Sequence, residues 1–207
     1  MSVVSRYCNT SWLPNIPKAS KCLYISSDNV QMQLLTVGMF AYIPNLSGVD
    51  WFVSSIWPII HNKYPQMVYG IVGKGIPKSY DMRWRSVPGV RIFGFVPKIE
   101  QMYANSKAVV VPLLTGGGTS VKTIEALAYG KKVFSTSIGA RGFSNDEIVD
   151  AGISLFSGAA DLLQSLDYYL GLSADSHKKL CDAAKNFVKN NYSEECFSVE
   201  VQSRFRQ

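Results

Sequence analysis

A glycine-rich segment followed at once by a predicted helix is the part of the sequence best suited to chemistry. An apolar run, Ala108–Leu113, leads into three consecutive glycines, and helical periodicity begins directly after them. Successive glycines let backbone N–H groups converge, and a helix N-terminus adds unpaired donors and partial positive charge. An anion such as a phosphate fits there; the alternative is a flexible loop whose last residues only cap the helix. The residues of this predicted anion site are Gly116, Gly117, Gly118, Thr119 and Ser120.

Two charged residues on the predicted helix extend this interpretation. Lys122 falls in the first turn, from which an ammonium group can reach a bound anion. Glu125 lies about one turn further along an otherwise apolar helix. A carboxylate would repel a phosphate, so Glu125 is better suited to accept hydrogen bonds from neutral hydroxyls such as those of a ribose. The alternative is a surface pair between Lys122 and Glu125, which contributes about 0.2–0.5 kcal/mol to a helix.

Other catalytic and cofactor motifs are absent from the sequence. Gly73 and Gly75 begin a dinucleotide fingerprint, but Lys78 stands where the third glycine is needed, and no G-x-x-x-x-G-K-[ST] segment occurs. No H-E-x-x-H or Asp-x-Asp spacing suggests a metal site. Paired carboxylates are lacking near the glycines, which disfavours a glycosidase. We therefore predict no metal and no cofactor.

The elements that must position these residues alternate between strands and helices. The predicted strands are Gln33–Gly38, Met67–Val72, Val90–Phe93, Ala108–Leu113, Lys132–Ser135 and Ile153–Phe156. The predicted helices cover 49–60, 98–106, 119–129, 160–171, 174–191 and 194–205. This alternation is typical of an α/β fold with a doubly wound parallel sheet, which binds ligands at the carboxyl ends of its strands where the strand order reverses.

Length and composition favour one such domain. The chain has 207 residues, of which 47% are hydrophobic, and we assign residues 33–207 to the domain and 1–32 to a lead-in segment. No apolar run is long enough to cross a bilayer and no signal peptide is evident, so we expect a cytoplasmic protein. Its four cysteines are widely spaced, as expected for reduced thiols. The net charge of +6 is dispersed, which argues against nucleic acid and suits a phosphate-bearing ligand or an anionic membrane surface equally.

The segment from Gly116 to Val133, followed by Ser135–Gly142, resembles the C-terminal domain of group 1 glycosyltransferases. These enzymes have the GT-B architecture, in which two Rossmann-like domains face a cleft. The resemblance covers residues 33–143 well and the helical tail loosely. Further stretches that agree in order and spacing are Leu35–Gly38 with Pro44 and Asn45, Gly70–Gly73, Val90–Val96 and Tyr103–Ser106, and Leu13–Asn15 looks like the piece that precedes this domain.

The resemblance implies that a nucleotide-diphosphate sugar is the donor. Glu125 would bind the ribose, the amides of Gly117, Gly118 and Thr119 would hold the diphosphate, and Gly38 would permit close approach of donor or acceptor. Phe95 and Val96 would contact the base. The family implies transfer that retains anomeric configuration without a metal, mostly in cell-surface polysaccharide synthesis. A missing N-terminal domain would hold the acceptor, with peripheral membrane contact through that half as an open alternative, so this chain would transfer no sugar alone.

Two departures from the family pattern keep other functions open. The family often carries a first glutamate eight positions before the second, and here that position is Gly117. Many members place an Arg and a Lys after the first strand, where this chain has Met39–Tyr42; Lys74 or Lys122 are the candidate replacements. A non-catalytic nucleotide-binding or scaffold protein is the main alternative. Another sugar-nucleotide enzyme, such as an epimerase, is disfavoured because the chain has only two histidines.

Overall fold

The fold is an all-parallel, six-stranded sheet with helices on both faces. The computed structural model describes residues 32–117, 120–193, 195, 196, 198 and 202. Residues 1–31 of the expected lead-in, Gly118, Thr119 and most of the predicted helix 194–205 lie outside the described residues. The strands are β1 Met32–Val37, β2 Tyr69–Val72, β3 Val90–Gly94, β4 Ser106–Val111, β5 Lys132–Ser135 and β6 Ile153–Leu155.

The strand order is β3-β2-β1-β4-β5-β6, so the chain winds in one direction from β1 to β3 and in the other from β4 to β6. The reversal falls between β1 and β4, because Leu34 of β1 pairs with Tyr69 of β2 on one side and with Ala108 of β4 on the other. The loops that follow β1 and β4 diverge at this point. The predicted doubly wound, Rossmann-like sheet is confirmed, and its switch point is where a ligand is expected.

Eight helices are seen in the described residues, and they form two layers. They are α1 Ile43–Trp51, α2 Trp57–Lys63, α3 Lys78–Arg85, α4 Ile99–Ala104, α5 Val121–Ala128, α6 Asn145–Asp150, α7 Ala159–Leu170 and α8 Ala174–Asn191. Side chains alternate between the faces of a strand. Leu34 therefore packs with α1, α2, α3 and α7, whereas Leu35 packs with α4, α5 and α8. None of the described helices is long and apolar enough to span a bilayer.

The single helix predicted over 49–60 is longer and is interrupted. It runs from α1 through a π-helical segment, Phe52–Ile56, into α2. Pro58 explains the interruption, because proline has no backbone N–H and its ring clashes with the carbonyl four residues earlier. The helix still buries its apolar face, with Trp57 fully enclosed and its indole N–H donating to the Pro88 carbonyl at 2.8 Å.

Several predicted boundaries were wrong near polar residues. Strand β4 begins at Ser106, two residues before the predicted start, because the Ser106 hydroxyl is satisfied by the Tyr103 carbonyl at 2.9 Å and can be buried. The strand ends at Val111, since Pro112 has no N–H to donate to the ladder. Strand β2 begins at Tyr69 rather than at residue 67. Helix α5 begins at Val121 after the N-cap Ser120, and residue 119, the predicted start, lies outside the described residues.

Candidate functional site

A cavity of about 190 Å³ lies at the switch point, between the loop after β1 and the loop after β4. Gly116 and Gly117 line it from the loop after β4, and Ser120, Val121 and Lys122 line it from the start of α5. A smaller cavity beside it reaches Gly38 at the end of β1, and Lys122 lines both. The described lining residues of the larger cavity are Tyr42, Leu113, Gly116, Gly117, Ser120, Val121, Lys122 and Arg141.

Lys122 is the side chain that joins the two loops. Its Nζ donates a hydrogen bond to Oδ1 of Asn45 on α1. Asn45 in turn donates from Nδ2 to the Met39 carbonyl at 2.8 Å, which fixes the amide orientation. Burial lowers the pKa of Lys122 to about 8. The charged ammonium is therefore incompletely solvated, and an anion placed in the cavity would stabilise it.

The N-termini of two helices flank the cavity. Helix α1 begins after Tyr42 and α5 begins after Ser120, and both of these residues line the cavity. Neither N-cap side chain accepts a hydrogen bond from a backbone N–H of its own first turn. The N–H groups of Asn45 and Thr123 donate to the N-cap carbonyls, both at 3.0 Å, and Pro44 has no N–H. The first-turn donors without an intrahelical acceptor are therefore the N–H groups of Ile43, Val121 and Lys122, and each helix carries partial positive charge at this end. The backbone thus adds to the positive potential that Lys122 creates.

Arg141 brings a second cation to the cavity from the loop after β5. Its Nη1 donates to the carbonyl of Gly116. The same loop is tied to α5, because the Thr123 hydroxyl donates to the Gly139 carbonyl at 2.7 Å. The sequence patterns did not single out Arg141, since it follows a different strand from the glycines. Its only signal was its place in Ser135–Gly142, which contributed to the family resemblance.

Close packing of backbones explains the glycines at the strand ends. A Cβ on Gly73, which has a φ of +148°, would overlap the carbonyl oxygen of Gly38. A Cβ on Gly38 would lie 3.3 Å from Nδ2 of Asn45. Gly116 has a φ of +132°, whereas a Cβ on Gly117 would meet no atom of the described residues within 4 Å. As far as the described residues go, the family glutamate position therefore has room for a side chain here.

Glu125 lies on the second turn of α5, half-buried, and does not line the cavity. Burial raises the pKa of its carboxyl, and the nearby hydroxyl of Tyr103 on α4 opposes the rise. That hydroxyl is itself buried and makes no hydrogen bond of good geometry within the described part of the chain. The alternative pairing of Glu125 with Lys122 is wrong, because the Lys122 ammonium bonds to Asn45 instead.

The other predicted contacts lie outside the cavity. Lys74 is exposed on the loop after β2, where its carbonyl accepts from the Phe40 N–H at 2.8 Å. Phe95 and Val96 follow β3, the edge strand, two strands away from β1. Phe95 is 71% exposed, and Val96 packs on the helix layer that contains α4 and α5. The structure thus brings together Lys122, the described glycines and Ser120, with Gly38 in the adjoining cavity, but not Lys74, Phe95 or Val96.

One curated protein is similar to this chain in sequence. An uncharacterized 44.6 kDa protein in the cps region of Klebsiella pneumoniae is 24% identical over 206 residues. That alignment covers 90% of this chain and 50% of the relative, so the chain spans about half the length of the curated relative it matches.

Two solved structures share the fold. A variant of TarM from S. aureus, in complex with fondaparinux, alpha-GlcNAc-glycerol and UDP, superposes with a TM-score of 0.69 and 13% identity over 99% of this chain and 41% of TarM. The C-terminal domain of a group 1 glycosyl transferase, LpcC from Francisella tularensis, superposes with a TM-score of 0.60 and 15% identity over 83% of this chain and 96% of that domain.

The family assignment rests on the sequence itself. The sequence model of the family described as glycosyl transferases group 1 matches residues 31–167, about two thirds of the chain. The matched region includes every strand of the sheet, both loops of the cavity, Lys122 and Arg141. The chain belongs to the group 1 glycosyltransferases.

Proposed function

We propose that this domain binds a nucleotide-diphosphate sugar, the donor for transfer of a hexosyl group to an acceptor held by a second domain. The observation that carries the proposal is the hydrogen bond from Lys122 to Asn45, which draws the β1 and β4 loops around one cationic cavity. Glycosyltransferases that use such donors must hold a diphosphate, and this cavity lies where doubly wound sheets bind phosphorylated ligands.

The diphosphate is assigned to the space beside Lys122 and the glycine-rich segment. The Lys122 ammonium supplies a full positive charge, and the N-terminus of α5 supplies N–H donors and partial charge. The amides of Gly117, Gly118 and Thr119 are proposed to complete this cradle. Gly38 lies next to Asn45 at the end of β1. Because it has no side chain, it is proposed to let the ligand approach the backbone there.

The same groups would favour the chemical step. Cleavage of the bond between the sugar and the diphosphate leaves additional negative charge on the leaving phosphate. A fixed cation and fixed backbone dipoles stabilise that charge without reorganising, and removal of one such donor typically costs about 10²–10³ in rate. Because Lys122 and the two helix ends supply this charge, we propose transfer that is metal-independent. Retention of configuration is proposed from the family resemblance alone.

The nucleoside is assigned to the α4–α5 side of the site. Glu125 would accept hydrogen bonds from the ribose hydroxyls, and its position near Tyr103 keeps it on that side. Phe95 and Val96, which precede α4, are proposed to contact the base. Phe95 is exposed and therefore accessible to a base, and Val96 is anchored in the α4–α5 layer.

The acceptor is assigned to a domain beyond these 207 residues. The aligned region covers 50% of the Klebsiella relative and 41% of TarM, so both proteins are at least about twice as long as the region they share with this chain. We propose that the second domain completes the cleft, that transfer requires it, and that the product belongs to a cell-surface polysaccharide. We also propose that the reaction takes place on the cytoplasmic side of the membrane, where nucleotide sugars are supplied.

The experiment is thermal unfolding of the chain with UDP, GDP, ADP, dTDP and CDP. A ligand at about 100 times its dissociation constant adds about 2.7 kcal/mol of stability, which raises Tm by about 5–10 °C for a protein of this size. We expect one diphosphate to raise Tm and the Glu125→Ala variant to lose most of that rise. Glu195→Ala, at an exposed position, is the matched control and should keep it. No shift with any diphosphate at millimolar concentration contradicts donor binding.

A nucleotide-binding scaffold without transfer is the second candidate. The loop after β1 favours it, because Met39 and Tyr42 are about half-exposed there and no cation of that loop faces the cavity. The two functions differ in their response to the sugar. A donor site binds different nucleotide sugars with different affinities. A scaffold binds every nucleotide sugar with the same affinity as the free nucleoside diphosphate.

A further inference from the structure

We propose that Tyr103 positions Glu125 for the ribose, by donating a hydrogen bond from its buried hydroxyl to one oxygen of the Glu125 carboxylate when the nucleoside binds. The other carboxylate oxygen is then fixed toward the ribose hydroxyls. Tyr103 is a positioning residue, since it acts on the ligand only through Glu125. The inference rests on the proposed function, in which Glu125 binds the ribose, and it adds the group that makes this binding selective.

The Tyr103 hydroxyl is a buried donor without an acceptor. The Tyr103 side chain, on α4, has no exposed surface, and its hydroxyl has no hydrogen-bond partner among the described residues. A buried polar group left unpaired destabilises a fold, whereas a phenylalanine would fill the same space without that cost. The stability of the domain therefore gives no reason for a hydroxyl at this position, and a function does.

The packing of α4 on α5 brings this hydroxyl toward Glu125. The Tyr103 ring stacks on the ring of Tyr129, with centroids 4.3 Å apart and planes at 14°. Tyr129 ends the last turn of α5, and its N–H donates to the Glu125 carbonyl at 3.1 Å. Side chains four residues apart lie on the same face of a helix, so Glu125 shares the face that Tyr103 covers. It is the only acidic residue of α5.

Glu125 needs such a donor in order to bind a ribose as a charged group. Its side chain is half-buried, and burial raises its pKa, which favours the protonated form. A carboxylate accepts stronger hydrogen bonds from hydroxyls than a neutral carboxyl does. A hydrogen bond from the enclosed Tyr103 phenol favours the charged form and restricts the rotation of a long side chain. Less conformational entropy is then lost when the ribose binds.

Nucleotide pairs that differ only in the ribose hydroxyls test the inference. Titration calorimetry compares UDP, ADP, GDP and CDP with their 2′,3′-dideoxy forms, so the base and the diphosphate are the same within each pair. For the accepted base, we expect the ribonucleotide to bind at least about tenfold more tightly, as expected for hydrogen bonds to a charged group. Tyr103→Phe should remove most of this preference and leave the affinity of the dideoxynucleotide within about twofold, because the diphosphate contacts are unchanged.

Tyr169→Phe is the matched control for the loss of a buried tyrosine hydroxyl. Tyr169 lies on α7, and its hydroxyl donates to the Lys107 carbonyl at 3.0 Å. Tyr169→Phe should lower Tm and keep the preference for ribose. Tyr103→Phe should do the opposite, with Tm unchanged or higher and the preference lost, because its hydroxyl is unpaired within the described part of the fold.

A double variant shows whether Tyr103 acts through Glu125. Glu125→Gln keeps the size of the side chain, removes its charge and should lose the preference for ribose. Adding Tyr103→Phe to Glu125→Gln should cause no further loss, because two residues that act as one unit are not additive. Independent, additive losses would instead mean that Tyr103 affects the ligand by another route, which contradicts the inference.

The preference for ribose should also depend on pH through Glu125. Among the described titratable groups, Tyr103 is the one that acts on this carboxyl, and it lowers the pKa. Lys122 is directed to α1, and Lys185 of α8 lies beside Gly130, after α5 has ended. The preference should fall as Glu125 is protonated at low pH, and Tyr103→Phe should move this loss to higher pH. The base and the diphosphate titrate alike in both members of a pair, so the ratio of affinities reports Glu125.

The outcomes separate the inference from the proposed function. If Tyr103→Phe keeps the full preference for ribose and Glu125→Gln loses it, the inference is overturned and the proposed function stands. If Tyr103→Phe weakens both members of a pair equally and lowers Tm, the hydroxyl has a structural role and the inference is overturned. Equal affinity of the wild-type protein for both members removes Glu125 from the ribose site, and the inference fails while diphosphate binding stands. If no nucleotide binds, the proposed function and the inference fail together.

Discussion

Lys122 and Asn45 form a hydrogen bond that connects the start of α5 to the start of α1 across the switch point of the sheet. Asn45 also holds the loop after β1 through the Met39 carbonyl at 2.8 Å. One side chain thus satisfies a partly buried cation and a backbone carbonyl at once. Three predictions follow from this contact and its surroundings.

Asn45→Ala should destabilise the fold and weaken diphosphate binding together. The substitution leaves the Lys122 ammonium and the Met39 carbonyl without their partner, and each buried group left unpaired costs about 1–3 kcal/mol. We expect the free energy of unfolding, measured with urea, to fall by about 2–6 kcal/mol. Asn105→Ala is the matched control, because Asn105 makes an exposed bond to the Gln101 carbonyl and should cost less than about 0.5 kcal/mol. Equal losses in the two variants would contradict a special role for Asn45.

Diphosphate affinity should weaken as pH rises through the pKa of Lys122. Burial lowers that pKa to about 8, and a bound diphosphate raises it because the charged ammonium interacts with the ligand. Below about pH 8 Lys122 is already protonated in the free protein, so its titration does not change the dissociation constant with pH. Above about pH 8 the ligand must bind with uptake of a proton, and the dissociation constant rises by up to tenfold per pH unit. Titration calorimetry from about pH 7 to 9.5 measures this slope.

Two lysine variants assign the slope to its residue. Lys122→Met should bind weakly and lose the pH dependence above about pH 8. Lys132→Met should keep both affinity and slope, although burial also lowers the pKa of Lys132 to about 8. Lys132 begins β5 and donates to the Gly152 carbonyl, away from the cavity. A slope that survives in Lys122→Met and vanishes in Lys132→Met would contradict the assignment.

Neighbouring glycines should respond oppositely to alanine. Gly116 has a φ of +132°, a conformation that strains any L side chain, so Gly116→Ala should cost about 1–3 kcal/mol of unfolding free energy. Gly117 has no such φ, and its Cβ position is open, so Gly117→Ala should change stability by less than about 0.5 kcal/mol. Urea denaturation of both variants measures the difference. The reverse order of stabilities would show that the loop adopts another conformation.

The sheet was predictable because its signals are local. Continuous apolar runs such as Val109–Val111 mark strands covered on both faces, and the alternation with helices is sufficient to indicate a parallel, doubly wound topology. Helix α3 was missed because its sequence is mostly charged and polar, and Trp84 is its only buried residue. Helix α6 buries no residue at all, yet the Ser144–Glu147 capping box that starts it could have been read from the sequence.

The site was only partly predictable, since half of it depends on distant contacts. Lys122 and the glycine-rich segment are neighbours in sequence, so their shared role could be inferred from spacing. Asn45 and Arg141 reach the same cavity from the loops after β1 and β5, and only the strand order brings them together. The predictions for Phe95 and Val96 came from the resemblance, that for Glu125 from its chemistry as well, and that for Lys74 from a departure from the family pattern. All four stay predictions.

The Asn45–Lys122 hydrogen bond joins residues 77 positions apart, and it has a kinetic consequence. Strands β1 and β4 must pair before these side chains can meet, and pairing across so long a loop is a slow, entropically costly event. The cavity therefore cannot exist in a chain that has formed only its helices and has not yet paired β1 with β4. A ligand that bridges the two loops will bind late in refolding, and its capture will report that the two halves of the sheet have joined.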